Sequence, residues 1–408
     1  MNDIAFLPIT ARLPGANIKV VGVGGAGCNA INRMIESGVS GVQFIAMNTD
    51  MQSLANCRAE VKIPLGPSMR GLGAGGNSGR GQDAAEESRD EISSAIQDAD
   101  MIFIAAGLGG GTGTGAAPVV ASCASELGIL SVAVVLTPCN WEGSGKANTA
   151  ASGLSDLRNV ADTVIVVSNE KIGSYCDKNV NTIDAWKAAD SVLIQGVRGI
   201  SDLILRPGII NVDFADVEAV LRGSREALIG TGEGGGDDAM LEAVRKALDC
   251  PLLEGNHSGG ATKVIISVMA DWHQIPYSAI EVSMKYVSEH FKGLPDIKLG
   301  QIDAPELNGR VLVTILVSGF DNSAAAKEPY RIPRIPKDEQ TKAIPVVSGY
   351  DSGPSRRVHE DKPPRAGHTT AMRTMRPSPT PSREIENYEK PAIDGQSDTW
   401  QSDRLLIE

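Results

Sequence analysis

The chain has 408 residues, of which 42% are hydrophobic and 4% aromatic, and its 45 glycines suit an aliphatic α/β protein better than a β-sandwich. The formal net charge of −12 argues against a general nucleic-acid binder, because such a protein needs a basic surface. The six cysteines and five histidines show no zinc-binding spacing, so we expect no dedicated metal site. The sequence shows no signal-peptide pattern and no long apolar run, which predicts a cytoplasmic protein without direct membrane insertion.

Strand-like and helical segments alternate through the first half of the chain. Helical stretches such as "NAINRMIESG" and "AAPVVASCASEL" separate runs of aliphatic residues. Strict alternation with continuous aliphatic strands is typical of a doubly wound, mostly parallel sheet. We predict the strands of this sheet at residues 18–24, 42–50, 100–107, 130–138 and 162–169.

A long central helix follows these strands. It is predicted from about Asp184 to Leu205, because the sequence Arg206-Pro207-Gly208 would end it. After this helix the pattern indicates a smaller second domain of mixed α+β type, with one helix at "PYSAIEVSMKYVSEHF". Its predicted strands cover residues 262–271, 297–303 and 310–320.

The composition changes near residue 320. Residues 321–408 hold 11 of the 22 prolines and have almost no aliphatic periodicity. Such a segment lacks the apolar surface that offsets the entropy of ordering, so we predict a disordered linker and tail. We therefore divide the chain into five segments. They are a flexible N-terminal tail (1–16), a Rossmann-like domain (17–184), the central helix with the start of the next loop (185–212), an α+β domain (213–320) and the C-terminal linker and tail (321–408).

Three glycine-rich loops each lie between a strand and a helix. They are "GVGGAGCN", with Gly22, Gly24 and Gly27 in a G-x-G-x-x-G pattern, "GLGAGGNSGRG" at 71–81 and "GGGTGTG" at 109–115. Backbone N–H groups at a helix N-terminus form an anion site, and glycine lets a ligand approach the backbone closely. None of the loops contains the G-K-[ST] of a P-loop. Three such loops favour a polyphosphate ligand over the single pyrophosphate of a dinucleotide.

The first loop also allows a different interpretation. A dinucleotide-dependent oxidoreductase would use Gly22, Gly24 and Gly27 for the pyrophosphate and Asp50, at the end of the next strand, for the ribose. That alternative leaves the other two glycine loops unexplained. It also lacks a catalytic histidine or tyrosine constellation.

Several motifs in residues 17–320 resemble those of the FtsZ family of tubulin-like GTPases. They are "GVGGAGCNA", "NTD", "GLGAG", "AAGLGGGTGTGAAP", "NWEG" and "RPGIINVDFADV", in this order. The resemblance implies a cytoskeletal GTPase that binds GTP or GDP with Mg2+ on the phosphates, polymerises head to tail and hydrolyses GTP at the subunit junction. It further implies a role in the bacterial cell-division ring at mid-cell.

The resemblance also assigns the GTP-binding residues. Guanine presents N–H donors, so its site needs an acid or amide acceptor. Trp186 and Asp190 are four residues apart on one helical face, where Trp186 would stack on the base and Asp190 accept from it, although packing against the sheet would equally explain Trp186. The implied GTP-binding residues are Gly24, Gly25, Ala26, Asn29, Asn48, Gly75, Gly76, Gly109, Gly110, Gly111, Thr112, Gly113, Thr114, Gly115, Glu142, Lys146, Asn169, Trp186 and Asp190.

Three polar residues after the central helix form an acidic loop, which we define as Asn211, Asp213 and Asp216. From the residues alone, Asp213 would cap the next helix and Asp216 would favour its dipole. The resemblance instead implies that this loop covers the nucleotide of the next subunit and orients the attacking water and the metal. A regulatory homologue that binds GTP without cleaving it is a further alternative, against which the presence of both aspartates argues.

Two features depart from the family pattern. The stretch "NWEGSGKAN" retains Glu142 but offers Lys146 where the family usually has an arginine, and lysine lacks the planar fork of arginine. The C-terminal end, "SDTWQSDRLLIE", lacks the usual recruitment peptide. The implied partners are other copies of the chain, together with division-ring regulators and membrane anchors that would bind the tail.

Overall fold

The computed structural model describes residues 15–171, 181–206, 208–250, 253, 261–291 and 295–320, without the side chains of 182–190 and 192. The expected C-terminal tail at 321–408 lies outside the described residues, as does all of the expected N-terminal tail except residues 15 and 16.

Eleven strands in the described part of the chain form one sheet. The strand order is β3-β2-β1-β4-β5-β6-β8-β11-β9-β10-β7. The strands are β1 Ile18–Val23, β2 Gln43–Asn48, β3 Val61–Pro64, β4 Met101–Gly107, β5 Leu130–Thr137, β6 Thr163–Ser168, β7 Gly208–Ile210, β8 Arg225–Gly234, β9 Lys263–Ala270, β10 Asp296–Asp303 and β11 Val311–Ser318.

Helices cover both faces of the sheet. In chain order they are α1 Gly24–Glu36, α2 Met51–Asn56, α3 Ser78–Glu87, α4 Arg89–Ile96, α5 Thr112–Glu126, α6 Ser144–Val160, α7 Thr182–Leu205, α8 Phe214–Leu221, α9 Ala239–Leu248 and α10 Tyr277–His290. Alternate residues of one strand enter different cores, since successive strand side chains point to opposite faces. In β1, Val20 packs with the core under α1 and α7, whereas Val21 packs with the core under α3 to α6.

The first six strands in the sheet order, from β3 to β6, are all parallel. The remaining strands are mixed: β11 is antiparallel to β8 and β9, and β10 is parallel to β9. The two halves join where β6 pairs with β8 through three residue pairs. The predicted α/β class with a mostly parallel sheet and a second α+β region is therefore confirmed, and one sheet runs through both.

Strand β8 was not predicted, because its sequence "REALIGTGEG" contains three glycines and glycine is depleted in strands. These glycines, Gly230, Gly232 and Gly234, alternate and so lie on one face of the strand. On that face a Cβ atom would overlap backbone carbonyl oxygens of Ala247, Ala243 and Ala239 of α9, respectively. The missing side chains therefore let α9 lie directly on the strand.

Glycines also hold helices α3, α5 and α6 together. A Cβ atom on Gly115 of α5 would overlap the carbonyl oxygen of Ser78 in α3, and one on Gly81 would overlap that of Gly111. On the other side of α5, a Cβ atom on Gly153 of α6 would overlap the Thr114 side chain. Part of the "GGGTGTG" motif thus serves helix packing.

The substitution Gly115→Ala tests this packing role. We expect it to lower the free energy of unfolding by about 1–3 kcal/mol, because an extra methyl group in a closely packed contact forces the backbones apart. Gly145→Ala is the matched control, since Gly145 lies inside α6 and a Cβ atom there would have no other atom within 4 Å. Denaturant titrations of the two variants give the comparison, and equal stability would contradict the packing role.

Candidate functional site

A cavity of about 510 Å³ lies at the carboxyl ends of β1 and β4, where these adjacent strands meet helices α1 and α5. This is the position at which doubly wound sheets hold ligands. Nine of the residues predicted for ligand binding line it, from the first and third glycine loops and the segments after β5 and β6. They are Gly25, Ala26, Asn29, Gly110, Gly111, Thr112, Gly113, Glu142 and Asn169.

Two helix N-termini meet at this cavity. Helix α1 begins at Gly24, whose φ of +73° favours glycine, and α5 begins at Thr112. A Cβ atom on Gly24 would lie only 2.9 Å from the backbone nitrogen of Gly113, so the two N-termini are in close contact. The first N–H groups of each helix have no partner within the helix and carry its positive partial charge. The cavity therefore provides a site for an anion with several charges.

Two of the lining glycines leave open space. A Cβ atom on Gly25 or on Gly110 would meet no atom within 4 Å. Packing within the subunit therefore does not require glycine at either position. The space in front of both backbones remains available to a ligand.

The opposite wall carries a carboxylate whose two oxygens are both engaged. Glu142 Oε1 accepts from the backbone N–H of Cys139 at 2.8 Å, and Oε2 is 3.1 Å from the Lys146 ammonium. The side chain of Glu142 is largely buried, while that of Lys146 is 56% exposed. Lys146 itself does not line the cavity, although its carbonyl oxygen approaches Gly109.

Asn169 lies just after β6 and also lines the cavity. Its Oδ1 atom is buried and has no hydrogen-bond partner among the residues that the structure describes. A buried amide oxygen without a partner is costly, so a ligand that donates a hydrogen bond would stabilise this arrangement.

Other predicted residues shape the site without lining it. The Thr114 hydroxyl accepts from the backbone N–H of Gly109 at 2.9 Å, which fixes the turn before α5. Asn48 is buried, donates to Cys28 Sγ at 3.8 Å and accepts from the N–H of Asp50 at 3.2 Å.

Gly75 and Gly76, in the second glycine loop, both have positive φ and do not line the cavity. Trp186 and Asp190 are in α7, with side chains outside the described residues.

The three residues of the acidic loop have local partners away from the cavity wall. Asn211 Oδ1 accepts from the N–H of Gly208 at 2.6 Å. Asp213 caps α8, because its Oδ1 accepts from the N–H of Asp216 at 2.8 Å. Asp216 in turn forms an ion pair with Lys298 at 3.2 Å. None of the three lines the cavity described here.

Sequence reasoning missed Arg33, whose side chain lines the cavity from the third turn of α1. Its position four residues after Asn29 places both on one helical face, which is the signal that could have found it.

Comparison with known proteins identifies the family. Residues 17–177 match the GTPase domain of the Tubulin/FtsZ family, and residues 225–321 match the C-terminal domain of the FtsZ family. An empty FtsZ dimer from M. jannaschii is 43% identical, with a TM-score of 0.70, and the match covers 74% of this chain and 88% of that one. The chain belongs to the Tubulin/FtsZ family.

Two further structures agree with this assignment. A mutant FtsZ from M. jannaschii is 42% identical with a TM-score of 0.71, over 76% of this chain and 92% of that one. The fold also matches a GTPgS-bound protofilament of CetZ2 from Haloferax volcanii, at 21% identity and a TM-score of 0.64, over 76% and 95% of the two chains. None of these relatives supports the narrower expectation of a bacterial source.

The family assignment argues against the oxidoreductase alternative. Asp50, which that alternative assigned to a ribose, caps α2 by accepting from the N–H of Gln52 at 3.0 Å. Within the described part of the chain, no helix is long and apolar enough to span a membrane. The same residues contain no cluster of histidine, cysteine and acidic side chains that could hold a metal ion.

Cys28 lies in α1 behind the first glycine loop and is fully buried. Desolvation, with a contribution from Cys57, raises the pKa of its thiol to about 12. At pH 8 only about one thiol in ten thousand would be a reactive thiolate.

We therefore expect Cys28 to resist iodoacetamide in the native protein at pH 8, whereas the partly exposed Cys250 reacts. Peptide mass spectrometry measures both rates, with the denatured chain as control, and equal rates in the native state would contradict the prediction.

Proposed function

We propose that this FtsZ-family protein binds GTP in the cavity and hydrolyses it only in a head-to-tail filament, where the acidic loop of the next subunit completes the site. One observation carries the proposal: Glu142 is the only acidic residue among the described residues of the cavity wall, and both its oxygens are engaged. A carboxylate that orients water against the terminal phosphate would therefore come from elsewhere, much as other GTPases take a catalytic arginine from a partner.

The phosphates would lie against the two helix N-termini. Gly24, Gly25 and Ala26 at the start of α1, and Gly110 to Gly113 before and within α5, present backbone N–H groups there. Fixed N–H dipoles stabilise phosphate charge without reorganisation, and Mg2+ on the phosphates would neutralise the rest. Gly109 and Thr114 support this loop, and Gly75 and Gly76 approach from the second loop.

The base would lie toward Asn169. Guanine carries N–H donors and a carbonyl acceptor, and the side-chain amide of Asn169 offers a matching pair of groups. The buried Oδ1 of Asn169, which lacks a hydrogen-bond partner within the described part of the chain, supports this placement. Asp190 would accept from the remaining donors and Trp186 would stack on the ring, as the family pattern implies, while Asn29 and Glu142 contact the ribose side.

The filament junction would join the cavity side of one subunit to the acidic loop of the next. Ile209 and Ile210, directly before the loop, are 62% and 46% exposed, and Tyr277 at the start of α10 is 81% exposed. Exposed apolar side chains around a polar group are typical of a protein interface. A contact between two different surfaces propagates into an open filament.

At the cellular level we propose a cytoskeletal role in the cell-division ring at mid-cell, in the cytoplasm. The chain would divide functionally at the boundaries given above: residues 17–184 would bind most of the GTP molecule, the central helix segment at 185–212 would add Trp186 and Asp190, and the acidic loop would be presented to the neighbour from 185–320. The tail at 321–408 would connect the filament to regulators and membrane anchors.

Catalysis at a shared junction has a direct kinetic test. Asp213→Asn keeps the helix cap, because asparagine and aspartate cap equally well, but removes the charge. We expect Asp213→Asn and Asp216→Asn to bind GTP and form filaments, yet to hydrolyse GTP about 100-fold more slowly. GTP turnover and pelleted protein are measured together, and Asp249→Ala, an exposed acid elsewhere, serves as control.

Mixing variants tests whether the site is shared between subunits. Gly110→Leu should block the cavity, because it adds a large side chain at a lining position where a Cβ atom would meet no atom within 4 Å. An equal mixture of Gly110→Leu with Asp213→Asn should recover up to about a quarter of wild-type turnover, since random pairing leaves that share of junctions intact.

Wild-type turnover per subunit should also fall on dilution. A turnover rate per subunit that stays constant down to nanomolar concentration would exclude a shared site. The absence of any GTP turnover at every concentration would identify a non-hydrolysing homologue.

In the proposed complex the Lys146 ammonium group would contact a phosphate of GTP, either in place of its ion pair with Glu142 or in addition to it. Lys146→Ala should weaken GTP binding by about 1–2 kcal/mol at low salt, and less at high salt, because an exposed charge contact is screened. Lys146→Arg should bind at least as tightly as the wild type. Lys246→Ala is the matched control, since Lys246 pairs with Glu242 across one helical turn and is 55% exposed. Calorimetry at two salt concentrations measures the GTP affinity of each variant. If Lys146→Ala binds GTP as tightly as the wild type, Lys146 is not part of the binding site.

A further inference from the structure

Lys298 lies beside the acidic loop on strand β10. Strand β10 passes close to that loop. The evidence is Gly300, two residues after Lys298 and on the same face of the strand, where the neighbouring residues leave no room for a side chain. A Cβ atom there would overlap Leu203 of α7 and lie 3.3 Å from Val212, which is within the acidic loop segment. The face of β10 that carries Lys298 is therefore turned toward this loop.

The ammonium group of Lys298 is 3.2 Å from Asp216 Oδ1, and each side chain is a little over one-third exposed. Its hydrogen bond to Asp216, followed by the charges of Asp216, Asp296 and Asp213, raises the pKa of Lys298. One lysine thus faces three carboxylates and remains protonated. Because Asp213 Oδ1 already accepts from the N–H of Asp216, the cap and the ion pair restrain α8 and the Asp216 carboxylate together.

We propose that Lys298 is a positioning residue for hydrolysis: it holds the Asp216 carboxylate in the orientation that meets the nucleotide of the adjoining subunit, and it offsets the repulsion between the acidic loop and the phosphates. This inference rests on the proposed function, in which Asp216 acts across the junction. Lys298 acts through Asp216 and not on the substrate.

Two physical arguments support this role over a purely structural one. An ion pair this exposed contributes little to folding stability, so stability alone does not explain the arrangement. Orientation matters far more for catalysis, where small displacements of a reacting group change rates by large factors. The repulsion argument is also specific to the junction, because the two carboxylates of the acidic loop would otherwise approach a polyphosphate without a compensating charge.

The experiment replaces Lys298 in the full-length chain. Lys298→Met keeps the length of the side chain and removes the charge, whereas Lys298→Arg keeps the charge. GTP turnover is divided by the amount of pelleted polymer, and GTP affinity is measured on the unassembled protein. Lys246→Met is the control, because it removes a lysine from a carboxylate pair of similar separation, 2.8 Å, on α9.

We expect Lys298→Met to lower turnover per polymerised subunit about three- to tenfold, with unchanged GTP affinity and an unchanged melting temperature. Lys298→Arg should restore at least half of the rate, and Lys246→Met should behave as wild type. In an Asp216→Asn background, Lys298→Met should have no further effect, because the residue that it positions is already inactive.

Three results would overturn the inference. They are unchanged turnover per polymerised subunit in Lys298→Met, whether or not its critical concentration rises, faster turnover in that variant, and full additivity with Asp216→Asn. The proposed function fails separately, if Asp216→Asn itself retains wild-type turnover. A slow Asp216→Asn beside a normal Lys298→Met would therefore reject only the role of Lys298.

Discussion

The close contact between the N-termini of α1 and α5 is the constraint on which the candidate site depends. Adjacent parallel strands deliver both helices to one edge of the sheet, and glycine at position 24 lets their backbones approach. A side chain at this position would separate the helices and open the gap between their N–H groups, whereas Gly113 lets α5 lie against the carbonyl oxygen of Gly107 at the end of β4. The remaining glycines extend the same principle, since α3 and α6 reach α5 only because Gly81, Gly115 and Gly153 lack side chains. The "GGGTGTG" motif therefore combines a binding surface with a packing surface.

The sequence predicted the fold where hydrophobic patterning and local signals agreed. Five of the six strands of the parallel half follow from aliphatic runs, and the end of the central helix at Leu205 follows from Pro207. Hydrophobic patterning did not predict β8, because its alternating glycines are typical of a loop unless the helix that packs against them is known. Short strands such as β3 and β7 have too few residues to show a period. In each case the determining contact is distant in sequence, so no local signal records it.

The candidate site shows a similar division. Loops at strand ends can be placed from sequence, and nine of the residues expected to bind the ligand line one cavity. The partners of Glu142 and Asp50 could not be inferred, because a carboxylate that caps a helix or accepts a backbone N–H has the same sequence signature as one that contacts a ligand. The capping interpretation of Asp213 and the catalytic one are also not exclusive. In this subunit Asp213 caps α8 through one oxygen, and its other oxygen accepts no hydrogen bond from the described residues, so a second role would be compatible with the cap.

In the proposed filament, charge would determine how the cavity end of one subunit and the acidic loop of the next fit together. The cavity end presents helix N-termini that suit a polyphosphate, whereas the acidic loop alone would repel it. Lys298 reduces that repulsion from one side of the junction, and Mg2+ on the phosphates would reduce it from the other. In the proposed function, binding of GTP would therefore not require the neighbour, whereas bringing carboxylates against the bound phosphates would draw on both cations. A junction with this balance would become less favourable once the phosphate and its metal leave, and this loss of charge compensation would give a physical reason for hydrolysis to weaken the proposed filament.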